Sequence, residues 1–99
     1  MVDIERTKEF QQWFEQESLK SQTQIESRIV NIQLHNHFGD VKSLGDGLAE
    51  LKWKSGRRVY FSAIGDTLIL LLIGGNKNAQ SKDIKKARLL LGKYAEDET

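Results

Sequence analysis

Between Gly45 and Gly75 short turn signals punctuate runs of apolar and β-branched residues, and this punctuation limits the fold more than any other feature of the chain. Residues 48–54, 57–64 and 67–73 are separated only by Ser55-Gly56 and Gly65-Asp66. Connections so short permit hairpins and little else, so the three runs predict an antiparallel meander, introduced by a turn at Gly45-Asp46-Gly47.

Period-two alternation then divides each strand into two faces. Leu51 and Trp53 alternate with Glu50, Lys52 and Lys54, and Val59, Phe61 and Ala63 alternate with Arg58, Tyr60 and Ser62. A two-residue loop would set Lys52 opposite Val59, whereas a three-residue loop pairs Lys54 with Arg58 and Lys52 with Tyr60 and keeps the apolar sets together. A two-residue turn at Gly65-Asp66 pairs Ala63 with Leu68, Phe61 with Leu70 and Val59 with Leu72. The opposite face then carries Lys52, Lys54, Arg58 and Tyr60 beside Ile69, Leu71 and Ile73, so the last helix or a partner protein is expected to cover part of it.

The flanking segments read as one strand and three helices. Residues 2–6 alternate as a short strand, Thr7 offers an N-cap, and Phe10, Trp13 and Phe14 share one face of a helix reaching about Leu19. Ser21 and Gln24 have capping-box spacing, and Ile25, Ile29 and Ile32 carry a second helix toward Gly39, which predicts an antiparallel helical hairpin. Ile84, Ala87, Leu91 and Tyr94 recur at helical spacing after Gly74-Gly75, with Asn78 or Ser81 as the cap. The expected class is α+β: an N-terminal strand, a two-helix hairpin packed on an antiparallel β-meander, and a C-terminal helix, all in one domain over residues 1–99.

Composition narrows the function classes. At 38% hydrophobic and 29% charged, the 99 residues are those of a packed globular protein. The longest apolar run, residues 68–73, is far short of the roughly 20 residues a membrane helix needs, so no membrane role is expected. There is no cysteine, hence no disulfide and no thiolate metal site, and the acidic start lacks the pattern of a secretory signal. A cytoplasmic location is the expectation. The net charge of +1 conceals segregation: residues 1–40 sum to −3, residues 41–88 to +6 and residues 89–99 to −2. A positive middle suits a polyanion, because screening confines electrostatic reach to about 8–10 Å.

Within that middle, Lys52, Lys54, Arg58 and Tyr60 gather on one predicted face, with Lys77 arriving from the loop after the last strand. Two lysines at i and i+2 beside an arginine place several cations within reach of one phosphate, which arginine grips with a bidentate fork. Neighbouring cations also disfavour protonation of a lysine, so Lys52 or Lys54 is a candidate general base. The plainer alternative is a solvated strand face that keeps an edge soluble. His35 and His37 do not share a helical face and have no evident third ligand, so a cation at a helix C-terminus explains them better than a metal site, and no cofactor is expected. The segment 74–78 lacks P-loop spacing and reads as a turn across the sheet. Lys82, Lys85, Lys86 and Arg88 on the last helix are either a solvated face or an RNA contact.

Taken in order, Gly45-Asp46-Gly47-Leu48-Ala49-Glu50-Leu51, Gly56-Arg57-Arg58-Val59-Tyr60-Phe61, Leu70-Leu71-Leu72-Ile73-Gly74-Gly75-Asn76-Lys77 and Gln80-Ser81-Lys82-Asp83-Ile84 closely resemble the RelE/ParE-superfamily toxins. The nearest likeness is to the addiction-module killer proteins allied to HigB and to phage Gp49-like proteins. The resemblance implies the toxin of a type II toxin-antitoxin system, a metal-independent mRNA endoribonuclease that works on the ribosome, arrests translation and growth, and is silenced by a small antitoxin, often with a helix-turn-helix domain. It implies catalytic roles for Lys52, Lys54 and Arg58; Lys77 is the candidate fourth catalytic cation from its place in the loop, and Arg57, Tyr60, Lys82 and Lys85 are candidate RNA contacts. Some members carry an arginine in the loop after the last strand and a tyrosine in the last helix, where this chain has Asn76, Lys77 and Ile84, so the general acid is left open. Two alternatives come with the same resemblance: a ParE-like inhibitor that binds DNA gyrase without cutting RNA, and an inactive relic that retains only antitoxin binding.

Overall fold

In the computed structural model, which describes residues 2–97, Thr7 ends the first strand and begins the first helix. Its backbone N–H bonds Leu71 O at 3.1 Å, its hydroxyl donates to Leu72 O at 2.8 Å, and the same oxygen accepts from Phe10 N at 3.0 Å. One buried threonine therefore pins strand β1 (Asp3–Arg6), helix α1 (Lys8–Glu15) and the sheet together.

Helix α2 (Leu19–His35) starts earlier than the Ser21-Gln24 spacing predicted, because Ser18 is extended and its side chain accepts from Ser21 N at 3.1 Å. It also ends earlier than Gly39: Asn36 takes the left-handed conformation and its N–H bonds Ile32 O. His35 lies in the last turn.

The sheet gains an unpredicted edge strand, β2 (Val41–Gly45), antiparallel to β3 (Leu48–Lys52). Asp46 (φ 54°) and Gly47 (φ 84°) both lie in the left-handed region, the requirement of a type I′ hairpin turn. Strands β4 (Arg57–Ile64) and β5 (Leu68–Asn76) complete the order β1-β5-β4-β3-β2, with β1 parallel to β5. A 3₁₀ turn (Lys77–Ala79), capped by Asn76 and containing Asn78, leads into helix α3 (Gln80–Asp97), which begins before Ser81.

Both predicted registers require correction. Lys52 pairs with Arg58 and Glu50 with Tyr60, a shift of two residues that leaves the faces as expected. Ile64 pairs with Leu68 and Phe61 with Leu71, because the loop holds residues 65–67 rather than two. That slip of one residue exchanges the faces of β5, so that Ile69 and Leu71, not Leu70, join Val59 and Phe61. A bulge between Tyr60 and Phe61 then shifts the ladder again, pairing Tyr60 with Ile73, Val59 with Gly74 and Arg58 with Gly75.

Two cores result. Leu51, Val59, Phe61, Ile69 and Leu71 pack against Phe10, Phe14, Ile25, Ile29 and Ile32 of α1 and α2. On the reverse face Leu48, Tyr60, Leu70, Leu72 and Ile73 pack against Ala87 and Leu90 of α3, so the expected cover is the last helix. Gly74 and Gly75 are strand residues and not a turn. A Cβ on Gly74 would collide with the Trp13 ring from α1, and one on Gly75 with the Asp83 carboxylate from α3. No helix among the described residues is long and apolar enough to cross a membrane.

Candidate nucleic-acid interface

The cationic row begins where the β3–β4 ladder ends. Lys52 and Arg58 are direct cross-strand partners, which puts both side chains on the α3 face at its open end. Beyond them Trp53 N bonds Arg57 O at 3.1 Å and Gly56 N bonds Trp53 O at 3.0 Å, closing a loop whose Gly56 adopts φ +103°. This longer loop displaces Lys54 from the ladder, where it was expected opposite Arg58, into an exposed turn. Lys77 N bonds Gly56 O at 2.8 Å and its aliphatic stem runs alongside Gly56, so the 3₁₀ turn delivers an exposed lysine to the same loop. Lys52, Lys54, Arg58 and Lys77 therefore converge on one end of the sheet.

Arg58 is only 12% exposed. Its Nη1 donates to Arg57 O at 3.0 Å, and its Nε lies 4.0 Å from Oε2 of Glu50, a carboxylate that is 1% exposed. Gln80, the first residue of α3, donates from Nε2 to both Glu50 oxygens at 3.1 and 3.0 Å. A buried charge needs a partner, and here the arginine and the glutamate are paired by charge at 4.0 Å without a hydrogen bond, Arg58 Nε having no hydrogen-bond partner among the described residues, while the amide donates to both carboxylate oxygens. The cation expected to meet a phosphate is thus held from below by an acid.

Two predicted RNA contacts are corrected. Tyr60 is fully buried under α3, and its hydroxyl has no hydrogen-bond partner among the described residues. Burial, with the carboxylates of Glu50 and Asp83 adding to it and Arg58 opposing, pushes that hydroxyl up to about 12. Arg57 points to the other face. Its guanidinium donates to Ser21 Oγ at 2.8 Å and Gln24 Oε1 at 3.1 Å and lies 3.7 Å from Glu17, bolting the strand to α2. Lys82 and Lys85 are exposed on α3, as an RNA contact requires.

A further tie holds the row in place. Arg28 donates to the backbone carbonyls of Phe38, Asp40 and Lys52, and its guanidinium stacks 4.4 Å from the Trp53 ring centroid. Burial lowers the Arg28 pKa from its ordinary value, with Asp40 opposing. The sequence assigned no role to Arg28, Glu50, Gln80 or Asp83. Glu50 was legible as a member of the Lys52 row, but nothing local indicates that α3 would bury it.

No protein-family model matches the chain. It is 40% identical over 92 residues to an uncharacterized protein of Haemophilus influenzae, covering 90% of this chain and 92% of that one. Among solved structures, the isolated E. coli RelE toxin aligns with a TM-score of 0.66 at 13% identity, over 87% of this chain and 98% of RelE. The intact E. coli RelBE toxin-antitoxin complex aligns with the same score and identity over 77% of this chain and 96% of the matched one. YafQ from E. coli follows at 0.53 and 13% identity, over 81% and 98%. At such identities the likeness is one of fold, and the fold is RelE-like, as the sequence resemblance implied.

Proposed function

This chain belongs to one family with the uncharacterized Haemophilus influenzae protein and folds as RelE does, and from that premise we propose that it is the toxin of a toxin-antitoxin pair that cleaves RNA. The observation that carries the reading is the cross-strand pair Lys52–Arg58, with Lys54 and Lys77 brought to the same loop. The order of the motifs supports a HigB-like toxin within this reading.

The chemistry asks little of a metal. A lysine amine, from Lys52 or Lys54, takes the proton of an RNA 2′-hydroxyl, and the 2′-oxygen attacks the adjacent phosphorus. The bond from phosphorus to the 5′-oxygen breaks, leaving a 2′,3′-cyclic phosphate and a 5′-hydroxyl that acquires a proton. Negative charge builds on the phosphoryl oxygens during this exchange, and Arg58 with Lys77 neutralises it. Arg58 is seated by its bond to Arg57 O and by the nearby Glu50 charge, which suits the role, since a preorganised cation needs no rearrangement as charge develops. Lys82 and Lys85 extend the positive surface along α3 for the RNA backbone. The partners in this reading are mRNA on the ribosome and a small antitoxin that silences the toxin, acting in the cytoplasm.

Controlled induction with and without the neighbouring gene product tests the reading. Growth arrest with discrete cuts in mRNA by primer extension, relieved by the second protein and lost in stably folded Lys52→Ala and Arg58→Ala, is the expected result. Arrest with DNA damage and intact mRNA would instead mean a gyrase poison.

A further inference from the structure

Beside the cationic row, α1 and α3 enclose a polar cleft of about 320 Å³. Its floor is β5 at Ile73 and Gly74, and its walls are Glu9, Gln12 and Trp13 from α1, Gln16 just past its end, and Asp83 and Lys86 from α3. Gly74 has no side chain, so the half-buried Trp13 ring rests on the backbone there and forms one wall. The Asp83 carboxylate stands over Gly75, the cross-strand partner of Arg58, so the cleft opens one ladder position from the cationic row.

Further polar groups ring this aromatic plane. The side chains of Gln12 and Gln16 are exposed, and the half-buried Asp83 carboxylate has Lys82 and Lys86 as its nearby charges. Burial raises the Asp83 pKa above its ordinary value, with the charges of Lys82 and Lys86 opposing. An aromatic face with exposed amides and a carboxylate, in a cavity that accommodates one planar heterocycle, is how proteins hold a splayed-out base of single-stranded RNA.

The carboxylate selects among bases. An ionised aspartate only accepts, and its two oxygens match an edge with two adjacent N–H donors. Guanine offers such an edge at N1 and the 2-amino group, whereas adenine, cytosine and uracil each interleave donor with acceptor. We propose that this cleft receives a guanine base of single-stranded RNA, with Trp13 stacking on the ring and Asp83 accepting its N1 and 2-amino protons. The assignment rests on the RNA-cleaving reading for its biological sense, but the binding it asserts is measurable without cleavage.

The protein labelled with 5-fluorotryptophan gives fluorine resonances for Trp13 and Trp53, the first assigned by its loss in Trp13→Phe. Titration with 5′-GMP, 5′-AMP, 5′-CMP and 5′-UMP is expected to shift the Trp13 resonance, with 5′-GMP bound about tenfold more tightly than the others. Asp83→Asn, which keeps the shape, is expected to weaken 5′-GMP about tenfold and level the four nucleotides, while an unmoved Trp53 resonance reports an intact fold. Equal response to all four nucleotides, no response at millimolar 5′-GMP, or a preference that survives Asp83→Asn overturns the proposal. RNA cleavage is scored separately. Cuts without guanine binding remove the cleft and leave the nuclease, and guanine binding without cuts does the reverse.

Discussion

The two faces of this sheet are made by the same strands and closed by opposite means. The α1/α2 face holds only hydrocarbon and aromatic rings at its centre, with Phe10, Ile25, Leu51, Val59 and Leu71 all fully buried. The α3 face buries Leu48 and Leu72 as thoroughly, but it also buries Glu50, Ser62 and the Tyr60 hydroxyl. The first face has the composition of a core that exists for stability. The second accepts buried polar groups that a stability-driven core would replace, and two of them, Glu50 and the Tyr60 hydroxyl, lie near Arg58.

If that contrast is right, truncation in the first face costs most. Phe10→Ala, at a ring that also packs on Trp13 and Phe14, is expected to lose about 3–5 kcal/mol in urea unfolding. That loss is a large fraction of the stability of any domain this size. On the second face the largest effect comes from charge. Glu50→Gln leaves Arg58 without its acid and is expected to cost about 1–3 kcal/mol. The double change Glu50→Leu with Arg58→Met should recover most of that, because an apolar pair needs no mutual compensation. A double variant as unstable as Glu50→Gln would mean that the second face also depends on its polar groups for stability.

The adjacent glycines sharpen the same comparison. Gly74→Ala drives a methyl group into the Trp13 ring, which Phe10 backs, and is expected to destabilise by about 1–3 kcal/mol. Gly75→Ala meets only the end of the Asp83 side chain, which has room to rotate, so thermal unfolding should register a smaller loss. The reverse order would show α3 to be the more rigidly seated layer.

Much of this was legible in the sequence and some was not, for identifiable reasons. Alternation over residues 57–64 located β4 to the residue, and its parity put Arg58 and Lys52 on one face even though the partner assignments were two positions off. Parity survives a shift of two and not a shift of one, which is why the β5 faces came out exchanged: a loop one residue longer leaves no mark in a run as uniformly apolar as residues 68–73. Strand β2 was invisible because four of its five residues are exposed and it joins the sheet through its backbone. The site divides likewise. Its cations were readable as a pattern, whereas Glu50 beneath them and Trp13 beside them depend on how the helices seat, which no local spacing encodes.

The smallest effect near neutral pH is the one that isolates the second face most cleanly. Tyr60→Phe removes a buried hydroxyl that has no hydrogen-bond partner among the described residues, so at pH 8 the variant should match the parent within about 0.5 kcal/mol or exceed it. Raising the pH separates them. The hydroxyl is pushed up to about 12 in the fold against about 10 in an unfolded chain, so the folded protein retains its proton while the unfolded chain loses it. Folding is unaffected below pH 10 and weakens as the pH climbs from there toward 12, by about 1 kcal/mol at pH 11. Phenylalanine has no proton to lose, so urea unfolding at pH 11 should favour Tyr60→Phe by about that much, with lysine titration cancelling in the difference. An equal decline in both proteins would mean that water reaches the Tyr60 hydroxyl, and that α3 opens where its polar seam is deepest.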